Sequence, residues 1–196
     1  LTKNYAQPVY VQLDVLEYNK RIDGEVIDFR DFIEHPDQYV SDFEKFTKVS
    51  DIYFAGHFYA TGAPMILTKE MLNASDCKLK VVADISCDVN GPIACTLRSS
   101  TIEEPLYGYF PLEDKEVDVF HPGAVVVMAV DNLPCEIPKD ASEGFGEMFM
   151  EHVIPAFFNG DKDGILARAK ITENGKLTPR FEYLHDYVEG NELVTS

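Results

Sequence analysis

Basic residues are scarce in this chain: 17 Lys and Arg stand against 34 Asp and Glu, a formal charge of −17 over 196 residues. A phosphate backbone needs a clustered Lys/Arg footprint, so the deficit argues against a nucleic-acid partner. The acid excess itself reads as solubility. No apolar run approaches the ~20 residues of a membrane span, and the opening LTKNYAQPVY lacks the basic and apolar regions of a signal peptide. A CxxC pair, an HExxH cluster and a His at zinc-ligand spacing are all missing around Cys77, Cys87, Cys95 and Cys135. No metal is therefore expected, and the thiols should be reduced and partly buried in a cytoplasmic protein. Neither GxGxxG nor GxxxxGK(S/T) occurs, although a complete dinucleotide-binding domain needs an early glycine turn between strand and helix. The chain also lacks an internal repeat, a low-complexity segment and an initiating Met. The last absence predicts a processed or truncated product, or a piece of something longer.

What is present centres on KLKVVADISCDVNG, Lys78 to Gly91. The run Val81–Val82–Ala83 ends in Asp84, Ser86, Cys87 and Asp88, and a second run, Ala124 to Val130, leads into Asp131, Asn132, Leu133 and Pro134. Short β-branched runs closed by turn residues read as strands buried on both faces of a parallel sheet. Ligands bind beyond the carboxyl ends of such strands, so the two ends make one plausible site. Other strands are expected over Pro8–Glu17, around Val26–Ile27, from Ile52 to Phe58, at Leu106–Tyr109 with Val117–Phe120 pairing back, and over Ile165–Ile171. A helix capped by Asp37 should bury Tyr39, Val40, Phe43 and Phe46, and Thr68 should cap a short one through Asn73. A long helix should start at Asp140–Glu143 and kink or end at Pro155, and Asn174–Gly175 marks a turn before a last short helix near Val188. The pattern is an α/β fold: a partial Rossmann-like parallel sheet with flanking helices and a small β-hairpin. Strands near Ile52–Ala55, Leu79–Ala83 and Val125–Val130 should be adjacent and parallel.

The residues also resemble a known family. ADISCDVNGPIACTLRSSTIEEPLYGY is similar to the segment of lysine–2-oxoglutarate reductases and saccharopine dehydrogenases that reads DIS-x-D-x-GGSIE, then TTI-x-x-P. VDNLPCEIPKDASEGFGEMF is similar to the same family's (I/V)D(N/H)LP-x-x-(L/I)P-x-EAS-x-x-F. Weaker likeness runs from about Val9 through AKITENGKLTP. These enzymes fall in the alanine dehydrogenase and transhydrogenase superfamily, whose members join a Rossmann domain to a substrate domain. The resemblance implies an oxidoreductase of lysine metabolism that interconverts lysine plus 2-oxoglutarate and saccharopine with NAD or NADP. It implies that Ile85, Val130, Asp131, Asn132 and Leu133 contact the cofactor, with Asp131 catalytic, and that Ser86, Cys87 and Asp88 line the substrate side. Residues 1–134 would be the carboxyl-terminal half of the cofactor domain, and 135–196 a linking helix and tail.

Departures bear on this reading. Gly91–Pro92–Ile93–Ala94 replaces the family's Gly-Ser-Ile-Glu, losing a hydroxyl and a carboxylate. The family's catalytic Lys and His, substrate Arg and phosphate turn all come from an amino-terminal part, which would be this chain's partner. Alone, the chain should be inactive, bind cofactor weakly or not at all, and self-associate through a bare sheet edge. Blander roles stand beside each assignment: turn and capping work for Asp84, Asp88 and Asp131, small buried hydrophobes for Cys87 and Cys95, and a packed or solvated loop for His57. A non-catalytic module that binds a metabolite or protein is the alternative function. A glycine-rich turn and a Lys/His pair encoded upstream of Leu1 would mark the enzyme, and a start codon there the module.

Overall fold

The computed structural model describes residues 5–57, 59 and 62–191. In chain order the regular elements are β1 (Asn19–Arg21), α1 (Phe29–Glu34), β2 (Tyr39–Ser41), α2 (Glu44–Thr47), β3 (Ile52–Ala55) and α3 (Lys69–Asn73). Then come β4 (Val81–Asp84), β5 (Leu106–Phe110), β6 (Lys115–Val117) and β7 (Val125–Met128). They are followed by α4 (Pro138–Met148), α5 (Ile154–Phe158), α6 (Ile165–Ala169), β8 (Thr172–Glu173), β9 (Lys176–Leu177) and α7 (His185–Val188). The fold is mixed α/β. Its main sheet has five strands in the order β3-β4-β7-β5-β6, and β1–β2 and β8–β9 each form a separate two-stranded antiparallel sheet.

The parallel core of the sheet is the one the apolar runs predict. β3 pairs with β4 and β4 with β7, all parallel, with Ile52 opposite Val81 and Val81 opposite Val126. The hairpin β5–β6 then adds antiparallel to β7. Because side chains alternate along a strand, this register puts Tyr53, Val82, Val127 and Tyr107 in one row on one face. That face forms the core, joined by Phe43, Leu67, Leu72, Ile93 and Tyr109. Phe43 packs on Tyr53 with ring centroids 4.5 Å apart. On the opposite face Ile52, Phe54 and Leu106 are exposed.

Several local expectations are overturned. Pro8 to Asp14 is irregular and leads into a 3-10 turn at Val15–Glu17, closed by Asp14 and Glu17 as a capping box. Its loose apolar alternation meets no partner strand among the described residues. Val26 and Ile27 are likewise irregular. Tyr39–Ser41 is a strand rather than a helical turn, because it pairs with Asn19–Arg21. Asp37 lies in a 3-10 turn, and the helix starts only at Glu44. Ile165–Ala169 is helical, not extended: Leu, Ala and Arg favour helix, and the Asp161 carboxylate accepts the backbone N–H groups of Leu166 and Ala167 at 3.0 and 2.9 Å. Thr68 caps α3 as expected, its hydroxyl accepting from the Met71 N–H at 3.3 Å. The expected strand end at Phe58 lies outside the described residues.

The chain divides into two compact units, residues 1–136 and 137–196. In the second, Pro138 occupies the first turn of α4, where its missing N–H costs nothing. Pro155 does not end the helical path: a π-turn at Phe149–Val153 precedes α5 and carries the chain past it. Asn174 and Gly175, both at positive φ (52° and 76°), make the tight turn between β8 and β9.

Candidate active site

Parallel pairing brings the carboxyl ends of β3, β4 and β7 side by side, and the polar residues follow each end. The exit from β4 is tied to β3: the Ile85 and Ser86 N–H groups both donate to the Ala55 carbonyl, at 2.9 and 3.3 Å. Asp84 is fully buried. Its Oδ1 accepts the Ser86 N–H at 3.1 Å and the Ser86 hydroxyl at 2.6 Å, while Oδ2 accepts the Thr96 hydroxyl at 2.6 Å. Three donors satisfy this carboxyl, so Asp84 holds the loop and positions Ser86. Thr96 carries half of that role, and nothing in its polar surroundings in the sequence marks it.

The loop then turns sharply. Cys87 has φ 44°, a left-handed conformation that costs a non-glycine residue about 1–2 kcal/mol. The Gly91 N–H closes a turn on the Asp88 carbonyl at 2.9 Å. Pro92 and Ile93 are fully buried, and the Pro92 carbonyl accepts from Ile66 and Leu67. Where the resembling family has a serine and an isoleucine, this chain thus uses both positions as packing. Ile85 and Asp88 remain exposed, and Ser86 and Cys87 half-buried.

At the end of β7, Val130 is buried and forms an isolated bridge with Ser100. The Ser100 hydroxyl donates to the Pro105 carbonyl at 2.9 Å and accepts the Ala129 N–H at 3.0 Å, which makes the Ser-Thr-Ile-x-x-Pro stretch a clamp on β7. Asp131 and Asn132 are exposed and Leu133 half-buried at the start of a 3-10 turn, Leu133–Glu136. That turn is closed by the Cys135 N–H on the Asn132 carbonyl at 3.1 Å. Among the described residues the Asp131 carboxylate accepts no hydrogen bond, so an Asx-type turn does not engage it.

Electrostatics links the ends. Burial raises the Cys87 thiol pKa, and Asp84, Asp131 and Asp88 raise it further, in that order. One thiol therefore feels carboxyls from both β4 and β7. Cys95 is buried and pushed up to about 12, mainly by burial, which makes it an inert packing residue. His57, two residues beyond β3, is half-buried, and its pKa is lowered by burial against the pull of Asp84 and Asp88. Its Nε2 is buried without a hydrogen-bond partner among the described residues. The described residues hold no group of three or more His, Cys, Asp or Glu suited to a metal ion. They also hold no helix long and apolar enough to cross a membrane.

No family model matches the chain. Among curated proteins, it is 30% identical over 164 residues to alpha-aminoadipic semialdehyde synthase of Arabidopsis thaliana, covering 80% of this chain and 15% of that protein. It is 24% identical over 205 residues to the mitochondrial alpha-aminoadipic semialdehyde synthase of Rattus norvegicus, covering 89% and 22%. It is 32% identical over 130 residues to saccharopine dehydrogenase (NAD(+), L-lysine-forming) of Schizosaccharomyces pombe, covering 64% and 33%. The chain thus spans a third or less of the length of these relatives.

Proposed function

We propose, on the premise that the curated homologues of this chain are alpha-aminoadipic semialdehyde synthases and saccharopine dehydrogenases, that it is part of an oxidoreductase interconverting lysine plus 2-oxoglutarate and saccharopine. Residues 1–134 act as the carboxyl-terminal half of a cofactor domain and 135–196 as a linking helix and tail. The observation that carries this reading is the parallel register that sets the carboxyl ends of β4 and β7 side by side, with an Asp131 carboxylate unengaged among the described residues.

The residues present fit one end of a nicotinamide dinucleotide, NAD or NADP. An unsatisfied imidazole nitrogen and free carboxylates suit an uncharged or cationic group, not a pyrophosphate. Bound there, a reduced nicotinamide would supply hydride to the imine that the lysine ε-amine forms with the 2-oxoglutarate keto group after loss of water. The chain's own residues do the rest of the work at this wall. Ile85 and Leu133 present apolar surface, the Val130 and Asn132 backbone orients a carboxamide, and the Asp131 carboxylate favours positive charge nearby. Ser86, Cys87 and Asp88 line the substrate side, with Ser86 held in place by Asp84. Acid–base groups and a pyrophosphate site come from the remainder of the longer enzyme, so the isolated chain is inactive and holds cofactor weakly or not at all. The four free thiols suit the cytoplasm, and the word mitochondrial in the rat relative's name supplies the competing compartment.

The test is Asp131→Asn in the full-length enzyme. Asn keeps the shape and loses the charge. We expect kcat/KM to fall ~10-fold or more with the melting temperature nearly unchanged. Unimpaired turnover by the Asn variant would remove Asp131 from the site.

A further inference from the structure

His57 is the one group at these strand ends whose chemistry is left unaccounted for. Buried polar atoms are almost always hydrogen-bonded, and an unpaired one costs about 1–3 kcal/mol. The Nε2 of His57 is such an atom among the described residues. The fold also explains where it sits. Ala55 lies opposite Asp84 in the β3–β4 register, so Gly56–His57 runs out beside Ile85–Ser86. The carboxyls of Asp84 and Asp88 pull the imidazole pKa up against the burial that lowers it.

We propose that His57 is a ligand-binding residue of this site, and that its Nε2 hydrogen-bonds an uncharged oxygen of the nicotinamide end of the cofactor, a ribose hydroxyl or the carboxamide. The inference rests on the functional reading above and extends it to a residue on β3's exit. Two physical arguments select the ligand group. Burial keeps the ring neutral, so it brings no positive charge to attract a phosphate or a substrate carboxylate. The carboxylates around it repel anions in any case, whereas a hydroxyl can donate to a carboxylate and bond the imidazole at once. Access follows from the half-buried ring. Its torsion about Cβ–Cγ is soft, so a turn of the ring can carry Nε2 from its buried position to the open side when a partner oxygen arrives.

The experiment uses the full-length enzyme that contains this chain, with nicotinamide riboside, a probe with the ring and ribose but no phosphate, at millimolar concentration, followed by nuclear magnetic resonance. We expect the His57 imidazole signals and the backbone signals of Ser86 and Asn132 to move together. His57→Leu should weaken binding about 5-fold or more, the weight of one hydrogen bond. His57→Gln, whose terminal amide reaches the Nε2 position, should recover part of it. If Ser86 and Asn132 respond but the imidazole does not, and His57→Leu binds like wild type, His57 is no ligand contact and the functional reading survives. If no signal at the strand ends moves, the nicotinamide reading fails and takes the role of His57 with it.

Discussion

Asp84 and Asp131 both follow parallel strands, yet their surroundings are opposite. Asp84 is buried and takes three hydrogen bonds from Ser86 and Thr96, while Asp131 is exposed and takes none among the described residues. The first is therefore a stability residue and the second a candidate for chemistry. Asp84→Ala should leave two hydroxyls without their acceptor and cost on the order of 1–3 kcal/mol, read as a lowered denaturant midpoint. Thr96→Val, which removes one donor, should cost less. Equal stability of Asp84→Ala and wild type would refute the anchoring role. A second prediction reads the distance between the strand ends through Cys87. Its raised pKa makes the thiol slow to alkylate at pH 8, slower than the exposed Cys135. Asp131 is one cause of the shift, so Asp131→Asn should lower the pKa and speed alkylation of Cys87, measured by peptide mapping. An unchanged rate would mean that the ends of β4 and β7 do not share a site.

At the scale of elements, the loop after β4 depends on one close approach. A Cβ on Gly91 would lie 2.6 Å from the Asp88 Cβ and 2.7 Å from its carbonyl oxygen. Gly91→Ala should therefore open the turn and destabilise by about 1–3 kcal/mol, with Ser86 and Asp88 displaced. The contrast is Gly144 in α4, where an added Cβ meets nothing within 4 Å. There Gly→Ala should stabilise by up to about 1 kcal/mol through helix propensity. Thermal melts of the two variants decide the point; a neutral Gly91→Ala would show that the loop is not set by this contact. Other elements show how pairing overrides local preference. Tyr39–Ser41 is extended because β1 offers it a partner, while Pro8–Asp14, with similar alternation, has none among the described residues and is irregular.

For the whole molecule the relevant fact is apolar surface left exposed on the sheet's second face among the described residues. Ile52 (51% exposed), Phe54 (69%) and Leu106 (49%) lie on the face opposite the core, and β3 pairs only with β4 among the described strands. A bare edge beside apolar side chains favours association. We expect concentration-dependent self-association in sedimentation, weakened by Phe54→Asp, which adds charge to that face. A monomer at high concentration would sink this prediction. The −17 formal charge opposes association, so raised salt should strengthen it.

The sequence alone determined the parallel core. Val81–Ala83 and Val125–Met128 are apolar, β-branched and closed by turn residues, and such runs have few ways to be buried except beside one another. It also determined the Thr68 cap and the Asn174–Gly175 turn, which depend on neighbours a few residues away. Only the tertiary structure decided the rest. Whether residues 39–41 become strand or helix depends on a partner strand, Asn19–Arg21, supplied from elsewhere in the chain. The two strand-end carboxylates look alike in the sequence. They separate because Thr96, twelve residues on, reaches Asp84, whereas no described donor reaches Asp131. Hydrogen bonds and burial are satisfied in space, and their partners need not be near in the chain.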